Sequence, residues 1–591
     1  MLAPLLPLLL LLPTLSFAPA VQAATAGDWR GRAIYQLLTD RFAPSASNAP
    51  CNTDDRRYCG GTWRSIISKL DYISGMGFDA IWISPTAQNL EGVTQYGEAY
   101  HGFWPTDPTK LNSHFGNADD LKALSKAVHD RGMLLMVDIA INALASTTTD
   151  ISDASLASAA NGQLLFKHQA NYHPSCNIQW GNQQSEQTCW LANSGVMLMD
   201  LNQDNDEVRQ TLLKWAPAYV SEYGIDGFRL DASKHMTKSW QHDFCSAAGV
   251  FCIGEIFGDD TAYAASFQGA DGIDAVFGFG VQAGFIKAFT GSSPNSMQFL
   301  ADHIDQAKAY SDPSVIAAFL DNQDLPRINA LQSDKKKVYN AFAGTFLYGG
   351  IPVSYYGSEQ DIADGDNDPR NREALWLYNN YATDGQSYQF IKSLNQIRKG
   401  LSKTPNWGNS VASVVGVTQT DIALKRGGSL IVLTNRGEGA TGTWTVSGGG
   451  FGANEDIVDL LSGDKLKADG QGAITVTWTS GQPFVFVSAQ TASAAGLGGS
   501  APNPSPTLLV DPISSESPSS SPSNTGAALS VAAQGSPTAG SIATTSALPG
   551  SNLSSSQKDQ NAGSTGGAES VKDVRIILLG ACLVGAFMIL A

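Results

Sequence analysis

Between residue 24 and about residue 402, short apolar runs alternate with amphipathic helical stretches. The apolar runs are nearly continuous, which is typical of strands buried on both faces of a parallel sheet. Strands that alternate with helices predict an α/β fold. The clearest predicted strands are 80–85, 134–138, 225–231, 251–255 and 315–320.

Most of these strands end at or just before a carboxylate: Asp138, Asp231, Glu255 or the segment 321–324. A (β/α)8 TIM barrel gathers its active site at the carboxyl ends of its strands, and a doubly wound sheet binds ligands at the same edge. No glycine-rich phosphate turn follows the first strand, so the pattern favours the barrel.

Two stretches depart from the alternation. Residues from about 143 to 200 are irregular and contain two cysteines, which predicts a subdomain inserted after strand 3. From 403 to 490 the pattern becomes one of short β runs, such as 429–434 and 474–478. We therefore expect a barrel domain over 24–402 and a small antiparallel β domain over 403–490.

Both ends of the chain have the composition of targeting signals. Residues 1–23 carry a short apolar run followed by small residues, which predicts a secretory signal peptide, with an N-terminal anchor as the alternative. Residues 491–573 are rich in Ser, Thr, Pro and Gly and predict an unfolded stalk. Residues 574–591 predict the removed tail of a glycosylphosphatidylinositol (GPI) signal, with a true tail anchor as the alternative.

These signals imply a protein at the cell surface, attached to the plasma membrane or the cell wall by its lipid. Asn552 lies in an Asn-Leu-Ser sequon and is the predicted N-glycosylation site. Asn561 is the predicted GPI attachment residue, and Gly563 and Ser564 are its rivals.

Charge and cysteine content agree with an exported protein. The chain has 37 Lys plus Arg against 54 Asp plus Glu, a formal net charge of −17, which excludes a nucleic-acid partner because phosphate binding needs clustered cations. In an oxidising compartment the close spacing of two cysteine pairs predicts two disulfides. The predicted pairs are Cys51 with Cys59 and Cys176 with Cys189, whereas Cys245 and Cys252 either pair or remain buried thiols.

Six ordered motifs resemble those of the α-amylase family, glycoside hydrolase family 13, in its fungal secreted branch. The resemblance covers about residues 28–487 and implies a barrel, a calcium-bearing insert, a C-terminal β-sandwich and retaining chemistry on α-linked glucans. The motifs are YQLLTDRF (35–42), HGFW (101–104), DIAIN (138–142), GFRLDASKH (227–235), GE (254–255) and DNQD (321–324).

The resemblance assigns three catalytic carboxylates. Asp231 is the expected nucleophile and Glu255 the expected acid/base, because retaining glycosidases use two carboxyl groups roughly 5–5.5 Å apart. Glu255 needs a raised pKa so that it is protonated before bond cleavage. Asp324 is expected to hold sugar hydroxyls and to favour the cation-like transition state.

Other residues at family positions are expected to contact the sugars. Arg229, two residues before Asp231 on the same strand face, would form an ion pair with it. Phe103 replaces the family's usual tyrosine platform, so it keeps the stacking ring and loses the hydroxyl. The remaining expected sugar contacts are His101, Trp104, Lys234, Gln323, Asp368 and Arg372.

The resemblance also implies a calcium ion. Asn142, Asp200 and His235 match ligand positions, with Gln187 as the fourth, and both Gln187 and His235 would contribute backbone carbonyls. Oxygen-rich ligation suits Ca²⁺. A hydrogen-bonded structural node without metal is the alternative.

Two positions depart from the family. Most members have histidine where this chain has Ala143, and histidine just before the last catalytic aspartate, where this chain has Gln323. Both histidines normally hydrogen-bond the sugar at the reacting centre. A glutamine amide can replace part of that function, because it donates and accepts, but an alanine cannot.

This pattern is similar to the GPI-anchored fungal α-glucanotransferases. We therefore expect a monomeric 4-α-glucanotransferase that uses maltooligosaccharides or starch-like chains as donor and acceptor and serves cell-wall α-glucan. An extracellular α-amylase is the first alternative. A non-catalytic glucan-binding wall protein is the second, and the intact carboxylates argue against it.

Overall fold

The computed structural model describes residues 24–46, 49–291, 293–365 and 367–497. Eight strands form one parallel sheet in the order β6-β5-β4-β3-β2-β1-β8-β7, and a parallel bridge between Phe277 and Ala317 closes it. The predicted (β/α)8 barrel is thus confirmed. Its strands β1–β8 are Ile34–Leu37, Ala80–Ile83, Leu134–Ile139, Gly227–Leu230, Phe251–Gly254, Ala275–Val276, Ala317–Ala318 and Ile351–Tyr355.

Helices surround this sheet. In Ala118–His129 the Asn117 side chain accepts from two backbone N–H groups of the first turn, and Leu121, Leu124 and Val128 form the buried face. The barrel helices of five residues or more are Trp63–Ile67, Leu70–Gly75, Ala118–His129, Asp206–Tyr223, Lys238–Ala248, Thr261–Ala265, Phe279–Thr290, Ser296–Gln306, Lys335–Leu347 and Gln386–Leu401.

Two apolar cores lie on the two sides of the barrel sheet. The larger core fills the space between sheet and helices. The smaller core fills the barrel interior, which is therefore packed rather than open. Its members include Ile34, Trp82, Met136, Ile253, Phe277 and Val353.

The insert predicted after β3 is present, and it contains a three-stranded antiparallel sheet. Its strands are Ala143–Ser146, Val196–Asp200 and Ala192–Ser194, with Val196–Asp200 in the middle. The register places Ala143 opposite Asp200. The helix Asp153–Gly162 and the short helix Gln183–Glu186 complete the insert.

The C-terminal domain is an antiparallel sandwich, as the resemblance implied. A six-stranded sheet has the order β9-β10-β11-β16-β13-β14, β12 pairs with β15, and both sheets contribute to one apolar cluster that includes Trp478 and Phe486. Strands β9–β16 are Ser413–Val417, Asp421–Arg426, Ser429–Thr434, Gly442–Val446, Asp456–Asp459, Lys465–Lys467, Ile474–Trp478 and Phe484–Ser488.

Three disulfides are present among the described residues. The two predicted pairs are confirmed, with Cα–Cα separations of 5.3 Å for Cys51–Cys59 and 4.9 Å for Cys176–Cys189. The pairing that the sequence left open also forms, because Cys245 bonds Cys252 across 6.2 Å between Cα atoms.

The predicted signal peptide, stalk and anchor tail lie outside the described residues, as do Asn552 and Asn561. Within the part of the chain that the structure describes, no helix combines the length and the apolar character that a bilayer span requires.

Candidate active site

The side chain of Arg229 joins three carboxylates at the carboxyl ends of β3, β4 and β5. Its Nη1 lies 2.8 Å from Asp138 Oδ1 and 2.6 Å from Asp231 Oδ1, and its Nη2 lies 2.9 Å from Glu255 Oε1. Arg229 is only 1% exposed, so these ion pairs form away from bulk water. One positive charge therefore lies between the predicted nucleophile and the predicted acid/base.

The backbone around β5 sets the position of Glu255. Its N–H donates to Leu230 O at 3.1 Å, and its Oε2 accepts from Ala232 N at 2.9 Å. The preceding residue is Gly254, where a Cβ atom would lie 2.2 Å from Ile273 Cδ1. A larger residue there would force the Ile273 and Ser233 side chains to move, next to the strand end that carries the carboxylate.

The environment of Glu255 suits a general acid. Burial raises the pKa of Glu255 to about 7; Arg229 opposes the rise, whereas Asp231 and Asp324 add to it. A carboxyl group with this pKa keeps its proton up to about neutral pH, as a general acid requires. The two carboxylates thus have the different environments that a glycosidase acid and nucleophile require.

The second arginine of the site, Arg372, organises the last predicted catalytic carboxylate. Its Nη2 lies 3.1 Å from Asp324 Oδ1, and its Nη1 lies 3.0 Å from Asp368 Oδ1. Its Nε donates to Gln323 O at 3.0 Å. Asp324 N also donates to Asn322 Oδ1 at 2.8 Å. The DNQD segment is therefore held through its backbone as well as through its side chains.

The aromatic residues of the HGFW motif lie beside the Arg229 cluster. The Phe103 ring is centred 5.8 Å from the Arg229 guanidinium carbon. His101 is buried, packs edge-on against Trp104 at 4.8 Å, and its Nδ1 accepts from Phe103 N at 3.0 Å. Burial lowers the pKa of His101 well below its ordinary value, so the ring is a neutral wall of the site.

Lys234 extends the site towards the insert. Its backbone N–H donates to Glu255 O at 3.1 Å. Its ammonium lies 3.3 Å from Glu186 Oε1 and 5.6 Å from the centroid of the partly exposed Trp180 ring. Lys234 therefore joins the insert to the end of β5, beside the Arg229 cluster.

The predicted calcium ligands occur as two pairs of neighbours, Asn142 with Asp200 and Gln187 with His235. Asn142 directly precedes the strand whose first residue, Ala143, lies opposite Asp200, and Asn142 O accepts from Leu201 N at 2.9 Å. Asn142 Oδ1 is buried and has no hydrogen-bond partner in the described part of the chain. Burial raises the pKa of Asp200 to about 7, although His173 Nδ1, 2.6 Å from Asp200 Oδ2, opposes the rise.

These donors fit a hard cation. An amide oxygen without a donor and a buried carboxylate are oxygen ligands of the kind that Ca²⁺ prefers, and a cation would favour the charged form of Asp200. His235 is buried, and its Nδ1 lies 2.7 Å from Glu186 O, which holds the segment that carries Gln187 against it. Among the described residues, no three His, Cys, Asp or Glu side chains form a metal cluster, so the fit rests on the Asn142 amide, the Asp200 carboxylate and backbone carbonyls.

Sequence reasoning missed several residues of the site. Asp138 lies in the quoted DIAIN motif and at a strand end, so its bond to Arg229 was accessible from the pattern. Trp82 donates to Asp138 at 3.1 Å and Tyr100 donates to Asp368 at 3.2 Å, and Gln36 bonds Gln323. These last contacts join residues far apart in the chain, and no local motif predicts them.

The chain matches known proteins over most of its length. Residues 36–411 match the family described as "Alpha amylase, catalytic domain", and residues 414–505 match "Alpha-amylase, domain C". An α-amylase of Saccharomycopsis fibuligera is 38% identical over 474 residues, which are 79% of this chain and 93% of that relative.

Solved structures show the same fold. The structure of an α-amylase from Malbranchea cinnamomea is 38% identical, with a TM-score of 0.75, and the match covers 80% of this chain and 99% of that one. The structure of CldA, described as a cyclomaltodextrin glucanotransferase with three domains, is 26% identical, with a TM-score of 0.66. The match covers 77% of this chain and 98% of that one.

A barrel whose strand ends bring an aspartate and a glutamate onto one arginine has the chemistry of a glycoside hydrolase. With the insert after β3 and the C-terminal sandwich, this chain belongs to the α-amylase family of glycoside hydrolases, whose substrates are α-1,4-glucans.

The raised pKa of Glu255 predicts the pH dependence of glycosidic bond cleavage. Glu255 must be protonated to act as an acid, so kcat/KM for maltopentaose should fall as the pH rises through about 7. The check is a pH profile of kcat/KM between pH 4 and 9, with α-maltosyl fluoride as the control substrate, because fluoride leaves without protonation. The alkaline fall should be absent with the fluoride; the same fall with both substrates would assign it to another group.

Proposed function

We propose that this protein is a retaining 4-α-glucanotransferase that acts on α-1,4-glucans and maltooligosaccharides through a covalent glucosyl-Asp231 intermediate. One observation carries the proposal. The carboxylates around Arg229 are complete, whereas the two positions at which the family has sugar-binding histidines hold Ala143 and Gln323. Cleavage of the glycosidic bond is therefore retained. The environment changes at the place where the acceptor, water or a second sugar, binds.

In the first half-reaction, Asp231 attacks the anomeric carbon of the donor sugar. Glu255 gives its proton to the glycosidic oxygen, so the bond to the leaving chain breaks and the chain departs with a free hydroxyl. Asp324, held by Arg372, hydrogen-bonds the hydroxyls of the reacting sugar. Arg229 compensates the negative charge, which lies on Asp231 before the attack and on Glu255 after its proton has left and Asp231 has become an ester.

In the second half-reaction, the Glu255 carboxylate removes a proton from the incoming hydroxyl, and the oxygen attacks the anomeric carbon while Asp231 leaves. If the hydroxyl belongs to water, the glucosyl-enzyme is hydrolysed and the sugar is released. If it belongs to another glucan chain, the chain is extended. The ratio of the two outcomes depends on how well each acceptor is held at the reacting centre.

The substitutions at 143 and 323 favour the sugar acceptor. A lost hydrogen bond costs about 0.5–1.5 kcal/mol, and about 1.4 kcal/mol in the transition state is a tenfold change in rate. A sugar bound by many contacts tolerates that loss better than a single water does. The similarity to a structure described as a cyclomaltodextrin glucanotransferase supports the view that this scaffold accommodates transfer.

The proposal includes a calcium ion in the insert, held by Asn142 and Asp200 side chains and by backbone carbonyls of Gln187 and His235. When bound, the ion would supply a fixed positive charge that ties the insert to the loop after β4. The unpartnered Asn142 Oδ1 and the buried Asp200 support this assignment.

We further propose that the enzyme acts at the cell surface, held by a GPI anchor at the end of the stalk, on α-glucan of the cell wall. Support for this location comes from the composition of residues 491–591 alone. The hydrolytic alternative, an extracellular α-amylase, is supported by the names of the relatives. Chain-length analysis separates the two.

Incubation of a protein of residues 24–497 with maltopentaose tests the function. We expect products longer than five glucose units, because the glucosyl-enzyme is taken by a second maltopentaose. Chromatography of labelled oligosaccharides gives the chain lengths. Products of five units or fewer would instead identify a slow α-amylase, and binding without any product would identify a glucan-binding protein.

Variants connect the result to the two substituted positions. The double variant Ala143→His plus Gln323→His should release several-fold more short products per transfer event, since both sugar contacts are restored. Glu255→Gln is the matched control, and it should abolish both reactions. An unchanged product ratio in the double variant would show that these positions do not control acceptor choice.

Calcium removal should lower the stability of the enzyme. A ligand at a hundredfold excess over its Kd stabilises the fold by about 2.7 kcal/mol, so a chelator should lower the melting temperature measured by calorimetry. Asp200→Asn should remove most of this calcium dependence, whereas the exposed Asp204→Asn should keep it. Equal melting temperatures with calcium and with chelator in the unmodified enzyme would exclude the ion.

A further inference from the structure

We propose that Gln36 is a positioning residue that fixes the amide of Gln323 as a sugar-hydroxyl receptor at the reacting centre. Gln36 lies in β1, 287 residues from Gln323, and its Nε2 donates to Gln323 Oε1 at 2.5 Å. The identity of the acceptor sugar rests on the proposed function, whereas the pairing of Gln36 with Gln323 does not.

Gln36 lies inside the barrel rather than among the helices. Its register partner in β2 is Trp82, which points into the same interior and contacts the Arg229 and Asp138 cluster. Gln36 is 2% exposed. Burying a neutral amide in an apolar barrel interior costs free energy unless the amide forms hydrogen bonds. The hydrogen bond to Gln323 therefore offsets part of the cost of burying Gln36.

Gln323 is held at both of its ends. Its backbone carbonyl accepts from Arg372 Nε at 3.0 Å and from Asn371 Nδ2 at 2.9 Å. Its side-chain amide is held by Gln36. Because Arg372 also binds Asp324, the amide of Gln323 has a set position next to the carboxylate that holds the reacting sugar.

One terminal atom of each amide remains unpaired. Gln323 Nε2 and Gln36 Oε1 are buried and have no hydrogen-bond partner in the described part of the chain. Turning both amides over exchanges their nitrogen and oxygen but leaves one free atom on each. A buried polar group without a partner destabilises the protein. The two unpaired amide atoms are explained if a ligand hydroxyl forms the missing hydrogen bonds.

A sugar hydroxyl is the ligand that fits these atoms. A hydroxyl both donates and accepts, so it can bond the free Gln323 atom in either amide orientation. An amide carries no charge and does not titrate, so this contact is independent of pH. Gln36 would act through Gln323, because a fixed amide binds the hydroxyl without first losing rotamer freedom.

Two substitutions test Gln36. Gln36→Met keeps the length and removes the hydrogen bond, and Gln36→Asn keeps an amide that is one methylene too short to reach Gln323. We expect each to lower kcat/KM for maltopentaose cleavage about tenfold, with a melting temperature close to that of the unmodified enzyme. Ser354→Ala is the matched control, because Ser354 Oγ is also buried in the neighbouring strand without a partner, and it should change neither quantity.

A double-mutant cycle with Gln323→Met separates positioning from packing. If Gln36 acts through Gln323, the double variant should be no slower than Gln323→Met alone. Additive losses, or unmodified kinetics in both Gln36 variants, would overturn the inference. If the unmodified enzyme gives only short products, the transfer function fails, but the same cycle on cleavage rates still decides the role of Gln36.

Discussion

The buried guanidinium of Arg229 is the interaction on which the site depends. It bonds Asp138, Asp231 and Glu255 at 2.6–2.9 Å and is almost fully shielded from water. Burying several charges is costly unless geometry and hydrogen bonding are nearly complete. The barrel meets this requirement because β3, β4 and β5 are adjacent parallel strands, and their register brings Asp138 directly beside Arg229.

The aromatic interior of the barrel supports this cluster. Trp82 donates to the second oxygen of Asp138, and the Trp82 and Phe277 rings lie 5.3 and 6.0 Å from the guanidinium carbon of Arg229. Their faces stabilise a cation that water does not reach. Above this layer, Arg372 repeats the arrangement with Asp324 and Asp368. Catalysis and substrate orientation thus depend on two arginines held by a packed barrel.

Much of this site could be predicted from the sequence because barrel strands end in their functional residues. Asp231, Glu255 and Arg229 follow directly from the strand pattern and the motifs, and the structure brings them together. The Gln36–Gln323 bond could not be predicted, because a glutamine in a buried strand has no local signal for a partner 287 residues away. The Cys245–Cys252 disulfide was undecided for a similar reason, since spacing alone cannot distinguish it from two buried thiols.

The most direct test of the account is to trap the sugar on Asp231. In Glu255→Gln, α-maltotriosyl fluoride can still form the intermediate because fluoride needs no acid, but the base for the second half-reaction is missing. Intact-mass measurement and peptide mapping should show one maltotriosyl group on the peptide containing Asp231, and none in Asp231→Asn. Fluoride release without an adduct, or an adduct on another residue, would contradict the mechanism.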